Sequence, residues 1–267
     1  MKRAAFPLAA VVAIVFMAAT TDRPVAAAAG GTIVGHITYM GQTPVNAILR
    51  MGADPRCARM YSGTQARGQA FTVAGDGSFA DVLVTVDGTF PATPVPSAPV
   101  VLTQKKCQYV PHVLGVRVGQ TLQVRNEDPT EHNIHAASTI GNEINTTQPI
   151  NGPVAEFKVK ARELLRVRCD NHTWMTAYIA ILDNPYFAVS GTDGTFTIND
   201  VPPGKQTVKA WHEVMGTETQ TVDVQAGKTT MVDFTFAPHP AAAGTGADIR
   251  ELIIPHSGEL VARLGSR

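Results

Sequence analysis

The chain has 267 residues, with 22 Lys and Arg against 22 Asp and Glu, and is formally neutral. Neutrality removes any electrostatic argument for nucleic acid or an anionic membrane surface as partner. With 44% hydrophobic residues the composition is that of an ordinary globular protein, and the roughly 200 residues left once both termini are set aside suffice for two small β domains.

Residues 1–29 read as a secretory signal: a basic start at Met1-Lys2-Arg3, an apolar run from Ala4 to Ala19, and small residues at Ala26 and Ala28 that suit a signal peptidase. The apolar run falls short of the ~20 residues of a spanning helix, so an uncleaved anchor is the weaker reading. No Cys lies near the cleavage region, which argues against a lipoprotein. The mature chain is expected in the periplasm or secreted, with no stable membrane insertion after signal removal. A Pro-rich linker follows at Pro91 to Pro99, and the alternating run Val116, Val118, Thr121, Leu122, Val124 reads as a strand. Glu163–Cys169 alternates near its end and Thr176–Leu182 is a β-rich apolar run, so the seven residues Cys169-Asp170-Asn171-His172-Thr173-Trp174-Met175 form the tip of a strand pair. Further on, Asp193-Gly194 and Pro202-Pro203-Gly204 are turn signals that bound strands. The tail from Ala237 opens with Pro238-His239-Pro240 and has no sustained periodicity.

The tip C-x-x-H-x-x-M carries the chemistry. A thiolate, an imidazole and a thioether at this spacing suit a metal that cycles between Cu(I) and Cu(II), and two His, one Cys and a weak axial Met make the blue-copper electron-transfer geometry. The second His is offered upstream by the segment Asn126 to His135, which holds His132 and His135. Zinc is the weaker metal, because structural zinc sites prefer several Cys or His and rarely use Met. Singly, a buried Cys, a gap-filling Met or a structural His is the commoner reading of each residue, and it is the constellation that points to copper.

On these residues the sequence resembles the cupredoxins, the amicyanin type most closely: an Asn-rich loop ending in His132-Asn133-Ile134, and the compact C-x-x-H-x-x-M loop between the last two strands. The resemblance implies a Greek-key β-sandwich holding one type 1 copper ion, with His132, Cys169, His172 and Met175 as ligands. It also implies that the Asn133 side chain ties the two ligand loops together. Electrons would pass to a redox partner protein through the exposed edge of His172, with Trp174 beside it in the contact patch. Glu131 stands where the family usually has Pro before the first His, so no redox potential is carried over. His135, three residues past His132, is read from the alternation as packed or exposed beside the site, with substitution for His132 as the alternative. His112 and His212 are read as surface or core residues, with a second metal position as the alternative. With Cys169 as ligand, Cys57 and Cys107 are left to form a disulfide in an oxidising compartment, or to stay as two buried thiols.

The segment Asp193 to Val208 resembles the carboxypeptidase regulatory-like domain, a transthyretin-like β-sandwich with the pattern D-G-x-F-x-I-x-x-V-P-P-G. Gly31–Tyr39 looks like that family's opening strand and Ala80–Val86 like its second. The expected organisation is all-β: signal peptide 1–29, first part of the regulatory-like sandwich 30–88, cupredoxin domain 89–183, remainder of the sandwich 184–237 and tail 238–267. The cupredoxin is thus inserted in its host, with two domains in tandem as the alternative. No nucleophile-base arrangement or acid-base carboxylate pair stands out, so the chain reads as an electron carrier and not an enzyme. Copper binding and delivery without a redox circuit is the alternative function, and a structural β module with a vestigial site is the third.

Overall fold

The computed structural model describes residues 29–238; the expected signal peptide, up to residue 28, and all but the first residue of the expected tail lie outside the described residues. The chain opens with β1 (Gly31–Tyr39), a 3-10 turn (Met51–Ala53), the short helix α1 (Pro55–Met60) and β2 (Leu83–Asp87). A run of nine strands follows: β3 (Val100–Lys105), β4 (Gln108–Val110), β5 (Val113–Arg117), β6 (Thr121–Asn126), β7 (His132–Ala136), β8 (Ile144–Gln148), β9 (Ala155–Lys158), β10 (Glu163–Arg168) and β11 (Thr176–Leu182). The last six are β12 (Phe187–Val189), β13 (Thr195–Val201), β14 (Gly204–His212), β15 (Gly216–Val224), β16 (Thr229–Met231) and β17 (Phe234–Phe236). Among the described residues no helix is long and apolar enough to cross a membrane.

The strands form two sandwiches. One sheet, β13-β1-β16 with β17 also on β1, faces a second, β12-β2-β14-β15. Between them Ile33, Ile37, Val84, Phe196, Ile198, Val208 and Phe234 share one core. The alternation of β13, in which Phe196 and Ile198 are buried and their neighbours exposed, is the period of a strand with one wet face. The other sandwich packs β5-β11-β10-β7-β8 on β4-β3-β6-β9 around Leu102, Leu122, Val124, Ile134, Leu165, Val167 and Ile179.

The chain leaves the first sandwich after β2 and returns at β12, and these two strands are antiparallel neighbours, with Phe187 opposite Thr85 and the Val86 amide donating to Tyr186 O at 2.9 Å. A third apolar cluster joins the sandwiches: Leu83 and Trp211 meet Val113, Leu164, Tyr178, Ala180 and Leu182. The Tyr178 and Trp211 rings pack edge to face at 5.2 Å. A Cβ on Gly115 would lie 2.2 Å from the Phe187 ring, so this contact between the sandwiches requires glycine.

One sequence expectation changes here. The run Val116 to Val124 is two strands, β5 and β6, because Gly119 adopts φ +83° and turns the chain between them. The apolar alternation continues across the turn because both strands contribute to the same core.

Candidate metal centre

Strand pairing brings the ligand-type residues together. Pairing of β10 with β11 in the register Arg168 opposite Thr176 closes the residues 169–175 into a tight loop. The Met175 amide donates to His172 O at 2.9 Å and the Cys169 amide to Met175 O at 3.3 Å, so the loop is held by its own backbone. β7 lies on the other side of β10, with His135 opposite Arg168, which sets His132 at the start of β7 beside Cys169.

His132 Nδ1 and His172 Nδ1 are 3.0 Å apart, Cys169 Sγ is 3.7 Å from His172 Nδ1, and one ligand atom from each of the three residues lies within 4.8 Å of the others. An ion ~2.0 Å from each nitrogen and ~2.3 Å from the sulfur spans edges of roughly 3.1 to 3.7 Å; the nitrogen–sulfur separation at His172 falls at the upper end of that range and the nitrogen–nitrogen separation just below it. His132, Cys169, His172 and Met175 are all buried. The gathered donors, two imidazoles and one thiol, are soft, as copper prefers, and the buried Met175 closes the same loop.

The tautomers follow from the partners. His132 Nε2 donates to Asp128 Oδ2 at 2.9 Å and His172 Nε2 to Asp54 Oδ2 at 3.1 Å, so both Nδ1 lone pairs point inward at one another. Two facing lone pairs at 3.0 Å must share a proton or a cation.

Burial pushes the Cys169 thiol up, but its contacts with the His132 and His172 imidazoles and the Asn133 amide, which donates to Sγ at 3.3 Å, outweigh it and bring the thiol down to about 6. His172 is raised by its contact with Cys169, against burial, and His132 is raised by Asp128 and Cys169 in spite of burial. Burial also opposes ionisation of Asp54, yet Thr130, the Arg56 amide and His172 hold it at about 2.

Asn133 bridges the loops: its Oδ1 accepts from the Asp170 amide at 3.4 Å and its Nδ2 donates to Asn145 at 3.0 Å. Trp174 packs on His172 with ring centroids 5.0 Å apart and donates to Cys107 O at 3.0 Å. Cys57 and Cys107 are bonded to each other, joining α1 to the turn between β3 and β4.

The expectation of an exposed His172 edge is corrected. His172 is 4% exposed, because the loop before α1 lays Asp54 across its Nε2. Asp54 also caps α1, accepting from the Arg56 amide at 2.8 Å, and accepts from the Thr130 hydroxyl at 2.6 Å. Asp54, Asp128 and Thr130 were missed in the sequence; Asp54-Pro55 is a helix-start signal, but nothing local shows that its carboxylate reaches a residue 118 positions away. His135 faces away from the cluster and bonds Asp170 at 2.7 Å, lining a cavity of about 350 Å³ with Arg166 and Arg168. His112 pairs with Glu213 and with Thr176 O. His212 donates to Ala70 O at 2.8 Å while its Nδ1 accepts from the Val214 and Met215 amides. With both nitrogens used, His212 is a core residue and not a ligand.

Known proteins show two likenesses. The family model of the carboxypeptidase regulatory-like domain matches residues 176–237, which run from β11 of the metal-site sandwich to the end of β17. An M98A mutant of amicyanin in its Cu(I) form is 18% identical, matches 37% of this chain and 98% of its own, and superposes with a TM-score of 0.29. The purple cupredoxin from Nitrosopumilus maritimus is 18% identical over 31% of this chain and 98% of its own, with a TM-score of 0.27. The Cu-containing nitrite reductase NirK from Thermus scotoductus SA-01 is 19% identical over 36% of this chain, with a TM-score of 0.30, and only 25% of its length is spanned. No curated protein matches the sequence. The chain combines a segment similar to the carboxypeptidase regulatory-like domain with a region similar to cupredoxins. At these TM-scores the second likeness carries no functional weight, and the candidate metal centre rests on its own geometry.

Proposed function

We propose that the chain is an exported electron carrier that holds one type 1 copper ion through His132, Cys169, His172 and Met175. The observation that carries this reading is the pair of inward-facing Nδ1 atoms, 3.0 Å apart beside a thiol held at about 6, each imidazole locked by a buried or half-buried carboxylate. The bound ion supplies one-electron chemistry between Cu(I) and Cu(II). Asp128 and Asp54 keep both rings oriented, the Asn133 amide donates to the sulfur, and strands β10 and β11 hold the loop rigid, which favours electron transfer with little rearrangement. We read the chain as a carrier and not a catalyst, since with Met175 as fourth ligand the protein's own side chains would fill the coordination positions.

We infer further that the metal-site sandwich is an insertion in the regulatory-like one. The adjacency of β2 and β12, where the chain departs and returns, supports this. Export to the periplasm or beyond rests on the sequence of the first 29 residues and on the disulfide.

The covered His172 edge favours a second reading, copper binding and delivery without a redox circuit, because Asp54 occupies the face through which a partner would approach. Copper-loaded protein decides between them. An intense visible charge-transfer band with a reversible voltammetric wave supports the carrier, whereas rapid loss of Cu(I) to a chelator with no reversible wave supports delivery. Cys169→Ser abolishes the band while leaving the metal-free fold intact; a variant that stays blue removes Cys169 as ligand.

A further inference from the structure

The Cys57–Cys107 bond lies against the metal centre, on the side of the imidazoles that faces away from Cys169. Cys57 Sγ is 3.7 Å from His172 Nε2. Ligand atoms of Asp54, Cys57 and His172 lie within 4.8 Å of one another, and so do those of Cys107, Asp128 and His132. Both cysteines are fully buried. His172 thus has Nδ1 toward Cys169 and Nε2 toward both a disulfide sulfur and a carboxylate, while His132 and Asp128 lie beside Cys107.

The backbone around each sulfur is fixed by groups other than the disulfide. Asp54 caps α1, which carries Cys57. Asp128 accepts from the Lys106 and Cys107 amides at 2.6 and 2.7 Å, holding both residues in the left-handed region at φ 52°. Trp174 holds the Cys107 carbonyl. Opening the bond therefore leaves two sulfurs on anchored turns whose Cα atoms are 5.7 Å apart. These are two soft donors already gathered, with the His172 Nε2–H facing one of them. A surface depression of about 580 Å³ lined by Asp54, Arg56, Thr130, Glu131, Asn171 and His172 brings solvent to Asp54, which covers all but 4% of His172.

We propose that this disulfide masks a second soft-metal site, which on reduction takes one Cu(I) ion as a two-coordinate dithiolate. The reductant is an external dithiol. It gives two electrons to the Cys57–Cys107 bond and becomes a disulfide, while each protein sulfur takes one proton. Cu(I) then displaces both thiol protons and forms two copper–sulfur bonds, with no change in oxidation state. The site gives copper a position beside His172 that is filled only under reducing conditions, and it does not require the Cys169 centre to transfer electrons.

The test uses the full chain carrying Cys169→Ala, so that only the new site has a thiolate. Its oxidised and dithiol-reduced forms, freed of reductant under nitrogen, compete for Cu(I) against a chromophoric chelator. The reduced form is expected to take one equivalent and the oxidised form none, with Cys57→Ser removing uptake. Two controls separate a built site from a generic dithiol. The folded reduced chain should hold Cu(I) at least tenfold more tightly than the same chain in urea, and near-ultraviolet circular dichroism should show Trp211 still packed. Failure to take up Cu(I), or equal affinity folded and unfolded, overturns the proposal. Stoichiometry of the unmutated chain is the second measurement: two equivalents reduced and one oxidised. One equivalent in both states also overturns the second site, whereas one reduced and none oxidised leaves it standing and removes the Cys169 centre.

Discussion

Replacing Asp54 by Asn removes one negative charge from the Nε2 side of His172 while keeping the shape of the side chain. The carboxylate oxygen is 3.1 Å from Nε2; adding the width of the imidazole and one metal–nitrogen bond places the charge roughly 7 Å from the ion. At an effective dielectric constant of about 20 that charge stabilises one extra unit of positive charge by about 2 kcal/mol. At about 59 mV per tenfold change for one electron, this is on the order of 80 mV. Asp54 is held at about 2, so it is ionised at neutral pH and the full charge is lost on substitution. The oxidised ion carries the extra charge, so Asp54→Asn should raise the reduction potential, read by voltammetry of the copper-loaded protein at pH 7. Thr130→Val is the matched control. It deletes the 2.6 Å hydroxyl donor to Asp54 without changing charge, and should move the potential by less than a third as much. A potential that is unchanged or lowered in Asp54→Asn would show that the carboxylate does not sense the ion, and the assignment of His172 as a ligand would fall with it.

Removing both disulfide cysteines, Cys57→Ala with Cys107→Ala, frees a loop with a sequence separation of 50 and should cost about 4 kcal/mol by chain entropy; urea unfolding of the metal-free proteins measures it, and a loss below about 1 kcal/mol contradicts the estimate. Burial lowers His212 from its ordinary value to about 4, so between pH 6.5 and 4 the unfolded chain binds the proton that the folded chain refuses. The stability held by neutral His212 is complete above pH 6.5 and falls by about 3 kcal/mol on going down to pH 4; His212→Gln should flatten that slope in pH-dependent urea unfolding, and identical slopes would refute it. Met175→Leu should keep copper and colour and raise the potential, since the axial thioether bond is weak, and complete loss of copper would give Met175 another role.

Local chemistry made much of this molecule readable in one dimension. Gly31–Tyr39, Glu163–Arg168 and Thr176–Leu182 are strands because their apolar and β-branched residues alternate or cluster within a few positions, and that information is carried by near neighbours. Cys169, His172 and Met175 share one loop, so their spacing is legible in the sequence, whereas His132 was chosen over His135 by the resemblance to the cupredoxins. The turn at Gly119 is invisible in the pattern for the same reason in reverse: the period of two runs on through it because β5 and β6 feed one core. Strand grammar and the soft donor set are thus written in near neighbours along the chain. How that set is framed depends on long-range packing. Asp54 meets His172 across 118 positions and Cys57 meets Cys107 across 50, contacts fixed by the docking of the segment around α1 on the ligand loop. Such pairings leave no periodic trace, because they depend on which surfaces the strands bring face to face. The burial of His172, which closes the edge expected to be open, is a property of that docking and of no residue taken alone.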